Sequence, residues 1–168
     1  MQVHTIIATW FGCGNISKAP GTIASLATIL LTPAIIFNTL IGMLLLILVL
    51  IIGFITTSRY LLDYPGVIDP KEVVIDEVIG QLIAFSIPVI FFRHYNYMPE
   101  TFDISYILHY LSMFTFSFIF FRAFDIVKIW PINAIERIPG TSGIILDDML
   151  AGIMSSVCTI FIITQIGT

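Results

Sequence analysis

Charge is what this 168-residue chain has least of: seven Lys and Arg and eleven Asp and Glu make up 11% of it, while 58% is hydrophobic. A water-soluble domain of this length does not carry so little charge, and the mean hydropathy of +1.02 says the same, so the solvent for much of the surface is lipid. No basic run points to nucleic acid. Two cysteines, Cys13 and Cys158, lie near opposite ends without a CxxC or a Cys/His cluster, which excludes a disulfide framework and a zinc centre. His4, His94 and His109 are scattered, so a histidine nucleophile or a histidine metal triad is not expected. No GxSxG, no P-loop, no DxDx[TV] and no Cys followed by five residues and Arg occurs, and covalent phosphatase chemistry therefore lacks its usual groups.

What is present is a series of apolar runs, at 22–37, 41–57, 73–92, 104–121 and 144–166. They predict an all-α polytopic membrane bundle of about five helices, forming one domain over 1–168. Pro33 kinks the first run. Residues 38–40 make a tight hairpin, so the first two helices are antiparallel neighbours. Turn residues Pro65, Gly66 and Pro70, then Asn96 and Pro99, then Pro139, Gly140 and Gly143 mark the later connections, and Pro131 stops the fourth helix. Residues 1–9 have neither a basic leader nor a long apolar stretch and read as an interfacial segment, not a cleaved signal.

Counting crossings brings distant charges to one side. If the first helix starts on one face, the chain is on that face at Arg59, at Asp76 and Glu77, at Arg122, Asp125 and Lys128, and again at Asp147 and Asp148. Lys18, Lys71 and Arg137 join them, whereas Arg93 alone falls on the other side, and the excess of Lys and Arg makes the acidic face cytoplasmic.

Acids near hydrocarbon are costly and functional by default. Asp76 and Glu77, like Asp147 and Asp148, begin a helix and precede small residues, Gly80 in one case and Ala151 and Gly152 in the other. Small residues let two helices approach, so the acidic starts are expected to face one another. A favourable interaction with the helix dipole explains one such pair; two pairs with Asp125 beside them need a counter-charge, and hard oxygen donors suit hydrated Mg²⁺. Arg122 and Asp125 share a helix face, as an ion pair or with Arg122 as a phosphate ligand; Lys128 either binds phosphate or snorkels to headgroups. Arg59 and Asp63 are spaced to pair with each other. Lys18-Ala19-Pro20-Gly21-Thr22 opens the first helix at the acidic face, where free backbone N–H groups can hold an anion.

Four blocks in series resemble the bacterial phosphatidylglycerophosphatase A family: Pro20-Gly21-Thr22 with Ser25; Asp76-Glu77-x-x-Gly80-Gln81; Phe121-Arg122-x-Phe124-Asp125-Ile126-x-Lys128-x-Trp130-Pro131-Ile132; and Gly140-x-x-Gly143-Ile144-x-x-Asp147-Asp148-x-x-Ala151-Gly152. Ile129 departs from the family, which usually has proline before Trp130. The resemblance implies a Mg²⁺-dependent, multi-pass inner-membrane enzyme that hydrolyses phosphatidylglycerophosphate, a phospholipid substrate, to phosphatidylglycerol and inorganic phosphate. Asp76, Glu77, Asp147 and Asp148 are then expected to hold Mg²⁺. Arg122 and Lys128, with Lys18, Gly21 and Thr22, are expected to bind the phosphate, and Asp125 to orient Arg122 or complete the metal shell. Two other classes use acids at a membrane. A CDP-alcohol phosphotransferase would show D-G-x-x-A-R with spaced aspartates, which is absent, and an ion or proton transporter would place its acids nearer the bilayer middle.

Overall fold

The most apolar stretch of the chain is not the most buried. A computed structural model describes residues 2–16, 18–97 and 103–166; Met1 of the expected interfacial segment and Pro99 of the 93–103 loop lie outside the described residues. Nearly pure Leu, Ile and Val make up α4 (Thr39–Asp63), yet its buried positions are Gly42, Val49, Gly53, Thr56, Thr57 and Tyr60. Large aliphatics such as Leu44, Leu48 and Ile51 point outward. In lipid the apolar side chain gains nothing by hiding, so small and hydroxylated residues take the helix contacts instead.

The centre of the bundle is α5 (Ile75–His94), buried along most of its length. Around it stand α4, α6 (Ile104–Val127) and α8 (Thr141–Ile166), and these four helices are long and apolar enough to cross a membrane. Among the described residues there is no strand. The closest approach is between α5 and α8: a Cβ on Gly152 would strike the Gly80 carbonyl, and one on Gly80 would strike Phe121 and the Asp148 carbonyl. Just below, Gln81 Nε2 donates to Ser117 Oγ at 3.2 Å and Ser155 Oγ to the Ser117 carbonyl at 2.8 Å, tying α5, α6 and α8 together.

The first apolar run is broken, not merely kinked. It forms α2 (Pro20–Ala27), a 3-10 turn (Thr28–Leu30) and α3 (Thr32–Phe37). Pro33 has no N–H to give the Ile29 carbonyl, and Thr32 Oγ1 donates to that oxygen instead at 2.8 Å. The run nevertheless extends along all of α5, with Gly21 beside Glu77 at one end and the Ile35 and Ile36 carbonyls accepting from Arg93 at the other. Five apolar segments therefore become four long helices and one interrupted one. Asn38 alone links α3 to α4, and its Oδ1 caps the Leu40 and Ile41 N–H groups at 2.9 and 3.2 Å.

Two further expectations change. Asp63 pairs with His4 Nε2 at 2.7 Å and not with Arg59, because α1 (Val3–Ala8) lies against the end of α4 and brings the imidazole closer. The fourth helix ends at Val127, before Pro131: Lys128 turns left-handed at φ 47°, and a short α7 (Ile132–Ile135) follows. The N-terminal segment is fastened at the acidic end, where Val74 N–H donates to the Ala8 carbonyl at 3.0 Å.

Because the Gly152 contact is with backbone, Gly152→Val is expected to lower the melting temperature in detergent by the equivalent of about 3 kcal/mol. Leu48→Ala on the outer face of α4 should stay within about 0.5 kcal/mol.

Candidate active site

The Gly80–Gly152 contact sets the first turn of α5, with Asp76 and Glu77, beside Asp147 and Asp148, which do not begin their helix as expected but lie about two turns inside α8, because that helix already starts at Thr141. Asp76, Asp147 and Asp148 are buried, with exposures of 8%, 5% and 4%, and Glu77 is partly so. One carboxylate oxygen from each of Asp76, Glu77 and Asp148 lies within 4.8 Å of the others. Asp76 Oδ1 and Glu77 Oε2 are buried without a hydrogen-bond partner among the described residues. Unpaired carboxylate oxygens at such separation repel strongly in a low-dielectric setting and call for a shared cation or protons. Three hard oxygen donors with spare lone pairs fit an Mg²⁺-like ion, which keeps several waters and exchangeable positions.

Asp147 is placed differently from its expected role. Its Oδ2 accepts from Lys128 Nζ at 2.9 Å and its Oδ1 from the Asp148 N–H at 2.9 Å, so both oxygens are engaged outside the triad. Lys128 also reaches Glu136 Oε1 at 2.7 Å, which makes it a clasp between the α6 end and the α7–α8 connection, not a lipid-surface anchor. Burial by itself would lower the Lys128 ammonium, but its hydrogen bonds and charge pairing with Glu136 and Asp147 more than offset this and raise it above its usual range.

Arg122 Nη1 and Asp125 Oδ2 form the expected ion pair, at 2.6 Å, while Arg122 Nε is buried with no partner among the described residues. The guanidinium lies against the first segment, 3.5 Å from Ser25 Oγ, whose proton goes to the Gly21 carbonyl at 2.8 Å. Gly21 is needed here: a Cβ would run into the Glu77 carboxylate and approach Arg122 Nη1 at 3.3 Å.

Apart from Ser25, these groups line one cavity of about 470 Å³, together with Pro20, Thr22 and the 68–71 turn. Seven carboxyl groups and three cations face it, an excess of negative charge that would repel a phosphate unless a cation intervened. Lys18 is exposed and outside the lining. Lys71, Asp69 and Glu136 are in it, although no motif marks them; the count of membrane crossings was the one available signal, and it places them at this end without saying that they meet.

Fold and site together define a polytopic helical membrane protein with an acidic, cation-ready cavity at one end of the bundle. Residues 6–163 match the family described as Phosphatidylglycerophosphatase A. The chain belongs to that family and is a phosphatase. It is also similar to a Bacteroides thetaiotaomicron protein named "Putative phosphatidylinositol-3-phosphatase", at 30% identity over 155 residues, covering 89% of this chain and 87% of that protein. No solved structure matches.

The Lys128 clasp has a definite pH signature. A folded-state ammonium held above its ordinary value of 10.5 adds stability that is fully present below that pH and is lost as pH rises through the higher folded value. The melting temperature of wild type should therefore exceed that of Lys128→Met by a constant margin from pH 7 to about 10 and converge with it in more alkaline buffer.

Proposed function

We propose that this chain, as one membrane domain, removes the terminal phosphate of phosphatidylglycerophosphate, with Mg²⁺ held by Asp76, Glu77 and Asp148. The observation that carries this reading is the approach of those three carboxylates, two of them with unpartnered oxygens, in a cavity that Arg122 also lines. When bound there, Mg²⁺ supplies Lewis acidity and neutralises the phosphoryl oxygens. Arg122, held by Asp125, lines the cavity and orients the phosphoryl group with its guanidinium. Gly21 and Thr22 leave room for that group against the first turn of α2, and Lys71 adds positive charge at the rim. Asp147 keeps Lys128 at the cavity wall and so acts as a positioning residue. A water oxygen forms the new P–O bond as the ester P–O bond breaks; phosphatidylglycerol leaves with a proton on its hydroxyl oxygen, and inorganic phosphate is released.

The cytoplasmic orientation rests on the distribution of basic residues, six at the acidic end and Arg93 alone at the other. An inner-membrane location is what the resemblance to the family implies. Asp76 and Glu77 sit in the first turn of α5, and Asp147 and Asp148 lie about two turns into the 26-residue α8, so all four are near one end of their helices and not midway along them, which favours surface chemistry on a lipid headgroup over ion passage across the membrane. The name of the Bacteroides relative motivates a second substrate, phosphatidylinositol 3-phosphate, which presents the same phosphomonoester on a bulkier head.

Purified protein in mixed micelles is expected to release phosphate from phosphatidylglycerophosphate, to stop on EDTA treatment and to recover with Mg²⁺. Asp76→Asn and Asp148→Asn should each lower kcat by about 100-fold or more without unfolding the protein. Activity indifferent to EDTA would sink the metal assignment, and turnover of the inositol lipid alone would replace the substrate.

A further inference from the structure

The phosphate cavity has a floor whose cations are spent and a mouth whose cation is not. At the floor Asp76, Asp147 and Asp148 are buried. The partly buried cations beside them are committed, Arg122 to Asp125 at 2.6 Å and Lys128 to Glu136 and Asp147 at 2.7 and 2.9 Å. At the mouth is the 68–71 turn between α4 and α5, where Ile68, Asp69 and Lys71 are exposed while lining the same cavity. Lys71 is the remaining cation of that lining, and among the described residues it makes no ion pair or hydrogen bond, not even with Asp69. Its ammonium is uncommitted, but its backbone is held. Pro70 is buried and its carbonyl accepts from the Val73 N–H at 2.9 Å, Val74 is tied to Ala8, and a Cβ on Gly14 would strike the Glu72 carbonyl. An ammonium on a flexible stem, carried by a fixed turn and lacking an internal partner, suits an anion from outside. The mouth also carries bare apolar surface, with Ile68 82% and Ile126 69% exposed, which suits a lipid better than a water-soluble ester.

We propose that Lys71 binds the diester phosphate of the lipid whose terminal phosphate reaches the cavity floor, and so selects headgroups that carry both phosphates; the inference rests on the reading of the chain as a phosphatidylglycerophosphate phosphatase. That substrate holds its two phosphates on either side of one glycerol, and the diester is the one joined to the acyl-bearing half. With the monoester among the buried carboxylates and their cation, the diester lies one glycerol nearer the exposed mouth. Ile68 and Ile126 there offer apolar surface to the rest of the lipid. A second anion in a cavity with so many carboxyl groups is repelled unless a cation meets it, and Lys71 is the lining cation with no other duty. An ammonium meets a phosphate as a point charge, so it can take the diester without fixing the glycerol between the two phosphates.

The test is a binding cycle on the full chain in mixed micelles with Mg²⁺ present and the acidic triad intact. The probes are two analogues of phosphatidylglycerophosphate with a non-hydrolysable terminal phosphonate; one keeps the diester charge, and in the other the diester is methylated to a neutral triester. Wild type is expected to bind the methylated analogue about tenfold more weakly than the charged one. Lys71→Met should bind the charged analogue about tenfold more weakly than wild type does and lose less than about twofold more on methylation, while Lys71→Arg keeps most of the wild-type preference. A lysine that only supports the turn, or that only reaches surrounding headgroups, would leave the methylation penalty the same in wild type and Lys71→Met, and that result overturns the proposal. Equal binding of the two analogues by wild type overturns it as well, without recourse to any variant. In turnover of phosphatidylglycerophosphate, Lys71→Met should raise KM by about tenfold and move kcat by less than about twofold. Phosphate release by wild type with no methylation penalty would reject the role of Lys71 and keep the activity, whereas a penalty that depends on Lys71 without phosphate release would reject the activity and keep the diester site.

Discussion

Asp76, Glu77 and Asp148 can sit within 4.8 Å of one another only because α5 and α8 touch through glycine. A side chain at Gly80 or Gly152 would force the helices apart and separate the carboxylates, since each meets a backbone carbonyl of the other helix, Asp148 in one case and Gly80 in the other. The contact is also what makes the site costly. Bringing carboxylates together at the edge of hydrocarbon raises a repulsion that the protein only partly answers: Lys128 engages Asp147, Arg122 engages Asp125, and the triad is left without a cation of its own. An acidic site so placed is an incomplete one, and a divalent ion together with an anionic substrate completes its charge balance.

The rest of the bundle holds that arrangement at one end. α5 is enclosed by its neighbours, so its first turn cannot shift without disturbing the Gln81–Ser117–Ser155 connection beneath it. At the opposite end Arg93 gathers the Ile35 and Ile36 carbonyls, Thr39 and Tyr110, replacing the backbone donors that α3 lacks at its end. The same break in the first segment that requires this fastening also leaves an apolar groove beside α6. One sequence feature, Pro33 after Thr32, thus bears on both the fastening at Arg93 and the groove.

Much of this was legible from hydropathy and from where charge interrupts it. The long helices, the single acidic end, the approach of the two acidic pairs and the Arg122–Asp125 pair all follow from spacing and from counting crossings. The interruption at 28–31 was visible only as a proline, because a break and a kink share the same residue and differ in whether a threonine hydroxyl takes the orphaned carbonyl. Asp147 shows the corresponding limit for the site. Asp147 and Asp148 are adjacent and chemically alike, yet successive residues on a helix point about 100° apart, and the left-handed turn at Lys128 decides which of them meets a cation of the protein. His4 finding Asp63 is similar, since the docking of an N-terminal helix leaves no periodic trace.

The most direct test of the account is electron paramagnetic resonance of Mn²⁺ added to the protein in nanodiscs with a non-hydrolysable phosphonate analogue of phosphatidylglycerophosphate. The account predicts one class of bound Mn²⁺ with a resolved coupling to the phosphonate ³¹P, lost in Asp76→Asn and in Asp148→Asn but retained in Lys128→Met. Binding that survives both aspartate substitutions, or bound Mn²⁺ with no phosphorus coupling, would contradict it.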